Sequence, residues 1–368
     1  MQSDTLVLLA AGGTGGHLFP AEALAAALAR RNIIVDLATD ERATRYGGKF
    51  PARALHIIPS ETLRGRDPLS LARTAGTLGL GLVKAVLLFG RLKPSVVVGF
   101  GGYPTVPPLL AASLRRIPCV LHEQNGVMGR ANRLLAPRVT AIATGFPGIL
   151  SHDPALAAKA TYTGNPVRPT VIEAARITYA APSAGGPLRL VVFGGSQGAR
   201  VLADIVPPAI ERLEPALWPH LAVSQQARDE DVPRVRSMYD RLKIAAEVAP
   251  FFADLPARIA QAHLIVSRSG ASTVAELTAI GRPAILVPLP HALDQDQDAN
   301  ASMVERAGGA LRLRQSEFTP DRLAAELSAL AAEPVRLAQM AHAARSVGTL
   351  DAAERLADLV LKIAGGSP

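Results

Sequence analysis

The chain of 368 residues has a single cysteine, Cys119, so no disulfide can form within it, as expected for a protein of a reducing cytoplasm. Aromatic residues are scarce at 4%, too few for a platform on which single-stranded nucleic acid would stack. Charged residues reach only 19% against 49% apolar ones, which excludes a disordered chain and supplies a large core. No apolar run attains the roughly 20 residues of a membrane-spanning helix. The longest, 74–90, is broken by Lys84 and carries Gly76, Gly79, Gly81 and Gly90. Near the N-terminus the run 6–11 is short, lacks a basic lead and passes into Gly12-Gly13, which is no secretory signal.

What is present is length for two domains and an excess of basic residues, 39 against 31 acidic, a net charge of +8. That excess suits a polyanionic partner without choosing among nucleic acid, an anionic membrane face and a phosphorylated substrate. Apolar runs of strand length recur at 5–10, 33–38, 95–100, 118–122, 188–193, 263–267 and 283–288. Their continuous Val, Ile and Leu content is that of parallel strands covered on both faces. Helix-like stretches such as 20–31 and 273–280 alternate with them. The expected fold class is therefore α/β, with doubly wound parallel sheets.

Two strands end in matching loops. Gly12-Gly13-Thr14-Gly15-Gly16 follows the first, and Gly194-Gly195-Ser196-Gln197-Gly198 follows another 182 residues later. Each leads into a helix, so each half opens like a Rossmann unit, where backbone N–H groups and the helix dipole can cradle an anion. Neither loop is a Walker motif or a G-x-G-x-x-G fingerprint, although Asp36 lies 24 residues past Gly12, as a dinucleotide site would want. The competing reading is a glycine turn that merely lets helix and strand pack closely.

Other polar clusters sit at strand ends. His17 follows the first loop, placed either to take a proton from a substrate hydroxyl or to bond backbone or phosphate. Gly101-Gly102-Tyr103 and His122-Glu123-Gln124-Asn125 follow apolar strands, where open α/β sheets bind ligands. Ser269, Ser272 and Thr273 have the chemistry to cap the helix they precede, and Glu276 to balance its dipole. The run Asp294-Gln295-Asp296-Gln297-Asp298 approaches a calcium loop, with Glu305 at the twelfth position, but has Ala299 where glycine is needed. A D-x-D metal site and a metal-free polar loop are the other readings.

Taken together, GGTGGH (12–17), GGY (101–103), HEQN (122–125), GNPVR (164–168), GGSQGAR (194–200), RSG (268–270) with TVAE (273–276), and the 294–300 segment resemble one family. It is the MurG family, the UDP-N-acetylglucosamine transferases that act on undecaprenyl-pyrophosphoryl-muramyl-pentapeptide. The motifs occur in family order over nearly the whole chain. The resemblance implies the GT-B architecture, two Rossmann-like domains facing a cleft. It implies an acceptor and membrane-associating domain at 1–164, a linker at 165–186, a UDP-GlcNAc-binding domain at 187–345, and a C-terminal helix at 346–368 crossing back to the first domain.

It further implies inverting transfer of GlcNAc to the muramyl C4 hydroxyl, lipid I to lipid II, with no cofactor and no metal. A UDP-GlcNAc epimerase or another GT-B transferase is the alternative enzyme, and a nucleotide-binding adaptor among cell-wall or division proteins the non-catalytic one. By resemblance Thr14, Gly15, Gly16 and Asn125 meet the donor, while Arg168 and Ser196 hold uridine and phosphate groups. Phe252 lies at the uracil; Ala271, Ser272, Thr273, Val274, Ala275 and Glu276 follow the nucleotide, with Glu276 on the ribose; Gln297 addresses the sugar. His17 is the candidate base and Glu123 its rival, and Gly101, Gly102 and Tyr103 meet the acceptor pyrophosphate. Two positions depart from the family: Asp296 and Asp298 stand where histidine and threonine are more usual, and Phe252 replaces an aliphatic.

A lipid acceptor places the enzyme peripherally on the cytoplasmic face of the bacterial inner membrane, and nucleic acid drops out as partner. The 74–90 stretch, flanked by Arg64, Arg66, Arg73, Arg91 and Lys93, is expected to be an apolar surface drawn to anionic lipid. A helix buried on the sheet is the alternative.

Overall fold

The computed structural model describes residues 5–12, 15–41, 50–61, 68–183, 186–195, 198–290 and 295–365. It divides into two compact units, Met1–Arg168 with Leu350–Pro368, and Pro169–Thr349. The first unit runs β1 (Leu6–Ala10), α1 (Gly15–Arg30), β2 (Ile34–Thr39), β3 (Ala54–Ile57), α2 (Pro68–Leu92), β4 (Val96–Gly99) and α3 (Val106–Leu114). It continues through β5 (Cys119–Glu123), α4 (Arg130–Leu135), β6 (Ala141–Thr144), α5 (Pro154–Ala157) and β7 (Ala160–Tyr162). The sheet order is β3-β2-β1-β4-β5-β6-β7, every pairing parallel.

The α/β expectation holds, and side-chain alternation explains why the central strands look uniformly apolar. Val7 and Leu9 enter the core beneath α1, whereas Leu8 enters the core beneath α2 and α3 with Phe89, Leu109 and Leu121. Both faces are covered, so a strand such as Leu6–Ala10 must be apolar throughout. Each fully buried leucine contributes about 2 kcal/mol of hydrophobic stabilisation.

The second unit contains α6 (Pro169–Ala174), β8 (Leu188–Phe193), α7 (Arg200–Glu211), β9 (Leu221–Gln226), α8 (Val232–Arg241), β10 (Ala245–Ala249) and α9 (Leu255–Gln261). Then come β11 (Leu264–Ser267), α10 (Ala271–Ile280), β12 (Ala284–Leu286), α11 (Asp296–Arg306), β13 (Ala310–Arg312), α12 (Pro320–Ala332) and α13 (Pro334–Ser346). Its parallel sheet has the order β10-β9-β8-β11-β12-β13. In both units the strand order reverses beside the first strand, between β1 and β4 and between β8 and β11. Such switch points open a crevice at the strands' C-terminal ends.

Part of the stretch expected as a linker is built into the second unit. Helix α6 packs on α9 and α10, and the wholly buried Arg282 fastens the chain after it. Its guanidinium donates to the carbonyls of Ile177, Ala260, Ile280 and Gly281, which would otherwise be orphaned at helix ends. The last helix, α14 (Ala352–Ala364), belongs to the first unit. Ala353, Leu356, Ala357 and Val360 make one buried stripe at helical spacing against α1. Arg30 and Arg31 pair with Glu354, and Arg31 also with Asp358, each at 2.5 Å. These exposed ion pairs set register, while burial supplies most of the energy.

Candidate functional site

The site in the first unit is assembled at the C-terminal ends of β1, β4 and β5. Gly12 closes β1, and α1 starts at Gly15, so Gly15, Gly16 and His17 form its first turn. Thr14 lies outside the described residues, as does Ser196 of the matching loop. Gly101 and Gly102 have φ of +86° and +74°, the left-handed region that glycine tolerates without strain. A Cβ on Gly102 would lie 3.1 Å from Nε2 of His17, so the missing side chain also makes room for the imidazole. Tyr103 follows at the start of a short turn that Thr105 ties to the Gly102 carbonyl at 2.8 Å.

The HEQN segment carries more internal bonding than its sequence discloses. His122 is fully buried, with Nε2 3.1 Å from the Gly164 carbonyl, and burial pushes its pKa down to about 4. Glu123 is buried as well, and both carboxylate oxygens are engaged. Oε1 accepts from the backbone and side-chain amides of Asn125; Oε2 accepts from the Gly129 backbone and the Asn132 side chain. Burial raises the Glu123 pKa, opposed by those donors. Gln124 gives one amide hydrogen to the Phe100 carbonyl at 2.8 Å, and its Nε2 lies 3.2 Å from Nδ1 of His17. Asn165 in turn holds the Gln124 carbonyl at 2.8 Å. Arg168 lies over the Phe19 ring, 4.2 Å from its centroid, and its charge partly offsets the burial that raises Glu22.

Asp36 is engaged within the protein. Its buried carboxylate takes a two-pronged hydrogen bond from Arg53, at 3.0 and 2.9 Å, and lies 3.0 Å from His56. Burial alone would raise this carboxyl, but those two partners outweigh it and hold the pKa below the usual value. The dinucleotide reading of the first loop loses its acid.

In the second unit Gln226, at the end of β9, organises the switch point. Its Oε1 accepts from Gly194 N, and its Nε2 donates to the carbonyls of Gly195 and Pro250. One side chain thus fixes the glycine loop and the approach to Phe252, whose ring is buried under Arg258 at 4.3 Å. Helix α10 starts after Gly270, which has no side chain with which to cap it. Ser269 instead donates to the Gln297 carbonyl at 2.8 Å, and Asn300 donates to the Ser269 carbonyl. Ala271, Ser272 and Thr273 form the first turn, followed by Val274, Ala275 and the buried Glu276.

Gln297 was expected at the sugar. Its side-chain oxygen accepts from Ser269 N and Leu289 N. Buried Arg268 holds the same loop from the other side through the carbonyls of Val287 and Pro288. The acidic run is not a calcium loop. Asp294 lies outside the described residues, but Asp296 begins α11, so Asp296 and Asp298 belong to a helix. Asp298 pairs with Arg312 at 2.9 Å, and the described residues contain no cluster of three His, Cys, Asp or Glu able to hold a metal.

The sequence marks Gln124 and Asn165 only as members of the HEQN and GNPVR motifs, and it singles out neither Gln226 nor Asn132. A polar residue at the end of an apolar strand is the available signal for Gln226; nothing local marks Asn132.

Residues 7–144 match the family model described as the glycosyltransferase family 28 N-terminal domain, and residues 189–356 match that of the C-terminal domain. A protein of Rhodopseudomonas palustris (strain ATCC BAA-98 / CGA009) is 65% identical over 364 residues, 99% of this chain and 100% of its own. It is named UDP-N-acetylglucosamine--N-acetylmuramyl-(pentapeptide) pyrophosphoryl-undecaprenol N-acetylglucosamine transferase. A Bradyrhizobium diazoefficiens protein of the same name is 62% identical over 365 residues, covering 99% of this chain and 100% of its own. Among solved structures, Acinetobacter baumannii MurG aligns with a TM-score of 0.78 at 29% identity, over 97% of this chain and 99% of that one. The GT-B fold is common to both. A UDP-GlcNAc 2-epimerase from Neisseria meningitidis aligns at 0.66 with 13% identity, over 97% and 100%, a likeness of fold alone.

Proposed function

The chain belongs to glycosyltransferase family 28, and from that premise we propose that it moves GlcNAc from UDP-GlcNAc to lipid I, giving lipid II in peptidoglycan synthesis. The observation that carries this reading is the order of the parts. Both family domains are matched in sequence, and each unit sets its glycine loop at a switch point.

The second unit takes the donor. The loop at Gly194–195 and the first turn of α10 direct backbone N–H groups toward the diphosphate, and Glu276 takes the ribose. Phe252 meets uracil through its backbone, which makes its aromatic ring admissible there. The first unit takes the acceptor, with Gly101, Gly102 and Tyr103 at its pyrophosphate and His17 beside them. In the transfer, the muramyl C4 oxygen bonds to the anomeric carbon and gives up its proton to water. The bond to UDP breaks with its electron pair on the departing diphosphate. Backbone dipoles fixed before the reaction stabilise that charge without reorganising. Inversion follows from attack opposite the leaving group. Of the two groups expected near the hydroxyl, Glu123 is a positioning residue, because four donors already occupy its oxygens.

The lipid acceptor implies docking on the cytoplasmic membrane face. Helix α2 is long and apolar enough to cross a membrane, but Thr74, Gly81, Ala85 and Phe89 are buried along one side. On the other side Leu80, Val83 and Leu87 are more than half exposed, with Arg91 and Lys93 at the helix end. An apolar stripe beside basic residues suits adsorption to an anionic leaflet. Arg64 and Arg66 lie outside the described residues.

The test is purified protein with UDP-GlcNAc and a polyprenyl-pyrophosphoryl-MurNAc-pentapeptide. The expected result is release of UDP with formation of the disaccharide lipid. An epimerised UDP-sugar formed without acceptor, or no turnover at all, overturns the reading.

A further inference from the structure

We propose that Gln124 sets the tautomer of His17, keeping the neutral imidazole protonated on Nε2 so that His17 meets its ligand as a hydrogen-bond donor. The identity of that ligand, an alcohol or phosphoryl oxygen, rests on the function proposed above. The tautomer does not.

Only one orientation of the Gln124 amide suits its neighbours. Its Nε2 lies 2.8 Å from the Phe100 carbonyl and 3.2 Å from Nδ1 of His17. Turning the amide over would set its oxygen against the Phe100 oxygen, two acceptors with no hydrogen between them. A buried backbone carbonyl deprived of its donor is costly, so the amide is fixed with nitrogen inward. Gln124 is itself buried, and Asn165 anchors its backbone carbonyl. The second amide hydrogen therefore points at Nδ1, which has to accept it. A neutral imidazole carries one hydrogen, and that hydrogen is then on Nε2. Nε2 is the nitrogen that lies over Gly102, in the loop assigned to the acceptor pyrophosphate.

The consequence revises the expectation that His17 is the base. Taking a proton at Nε2 requires the Nδ1–H form, and that form requires the Gln124 amide to turn and abandon Phe100. Gln124 is thus the positioning residue that keeps the hydrogen on Nε2 of His17.

The tautomer can be read in the unliganded full-length protein by long-range 1H–15N correlation after labelling histidine with 15N, above the pH at which the ring is charged. His17→Gln identifies the His17 signals by their disappearance. The expected wild-type pattern is an unprotonated Nδ1 and a protonated Nε2. Gln124→Glu sets an oxygen opposite Nδ1 and inverts the pattern. Gln124→Met, which neither donates nor accepts, gives a mixture of both forms and keeps the test available if the glutamate variant does not fold. Both substitutions lower kcat by at least about tenfold, with KM for UDP-GlcNAc within about twofold. A wild-type signal with the proton on Nδ1, or variants that leave the pattern unchanged, overturns the proposal. Failure of the wild-type protein to form lipid II would instead overturn the assigned function, since the spectra need no substrate.

Discussion

The carboxylate of Glu123 accepts the side-chain amide of Asn132 at 2.7 Å, inside the fold and nine residues along the chain. Its remaining bonds hold Asn125 and Gly129, so one buried acid gathers the whole loop after β5. Glu123→Gln replaces an acceptor by a donor among four donors. It should cost about 2 kcal/mol in urea unfolding and lower kcat together with it. Loss of kcat at undiminished stability would instead make Glu123 the catalytic base.

Asp36 invites a parallel experiment with the opposite functional outcome. Asp36→Asn weakens the bonds from Arg53 and His56 and is expected to destabilise the protein by about 2 kcal/mol. KM for UDP-GlcNAc should not move. The Asp36 pKa is held below 3.8 in the folded state, so its contribution is present above that pH and lost as pH falls through the folded value. A raised donor KM would return Asp36 to the ligand site.

His122 supplies a second acid-sensitive element. Its folded pKa, about 4 against an ordinary 6.5, is depressed by burial, so folding favours the neutral ring. The contribution is complete above pH 6.5 and fades as pH falls toward 4, by about 3 kcal/mol in all. Between pH 7 and 5 the His122→Gln variant should lose stability less steeply than wild type, by about 2 kcal/mol. Equal slopes in denaturant titrations at the two pH values would contradict this.

Gln226 bonds three backbone groups around the second glycine loop. Gln226→Leu keeps approximate volume and removes all three bonds. Steady-state kinetics should show KM for UDP-GlcNAc raised about tenfold, with a smaller change in kcat. An unaltered KM would mean that the loop keeps its shape unaided.

The exposed stripe of α2 is testable away from the chemistry. Replacing Leu80, Val83 and Leu87 together by serine removes apolar surface without touching the buried face. Co-sedimentation with anionic phospholipid vesicles is expected to drop at least about tenfold, while thermal stability stays near wild type. Undiminished sedimentation would assign the membrane face elsewhere.

How much of this was legible in the sequence depends on how completely each part is buried. Strands β1, β4, β5, β8, β11 and β12 announce themselves because both their faces are covered, which forces continuous apolar runs. The edge strands β3, β7, β10 and β13 carry no such run. Half-exposed edges, such as Ala54–Ile57 and Ala245–Ala249, need not be apolar throughout. Glycine loops were visible because a chain that must turn sharply at a strand end has few residues to choose from.

Hydrogen-bond partners were not visible at all. The sequence by itself determined the α/β class, the two matched strand–loop–helix openings and the polar clusters at strand ends, since each follows from local burial or backbone freedom. Tertiary structure alone decided that Asp36 is spent on Arg53, that Gln297 turns its oxygen to the backbone, and that Gln124 faces His17. Those pairings join residues 17 to 107 positions apart, and which donor meets which acceptor is settled only when packing brings the strand ends together.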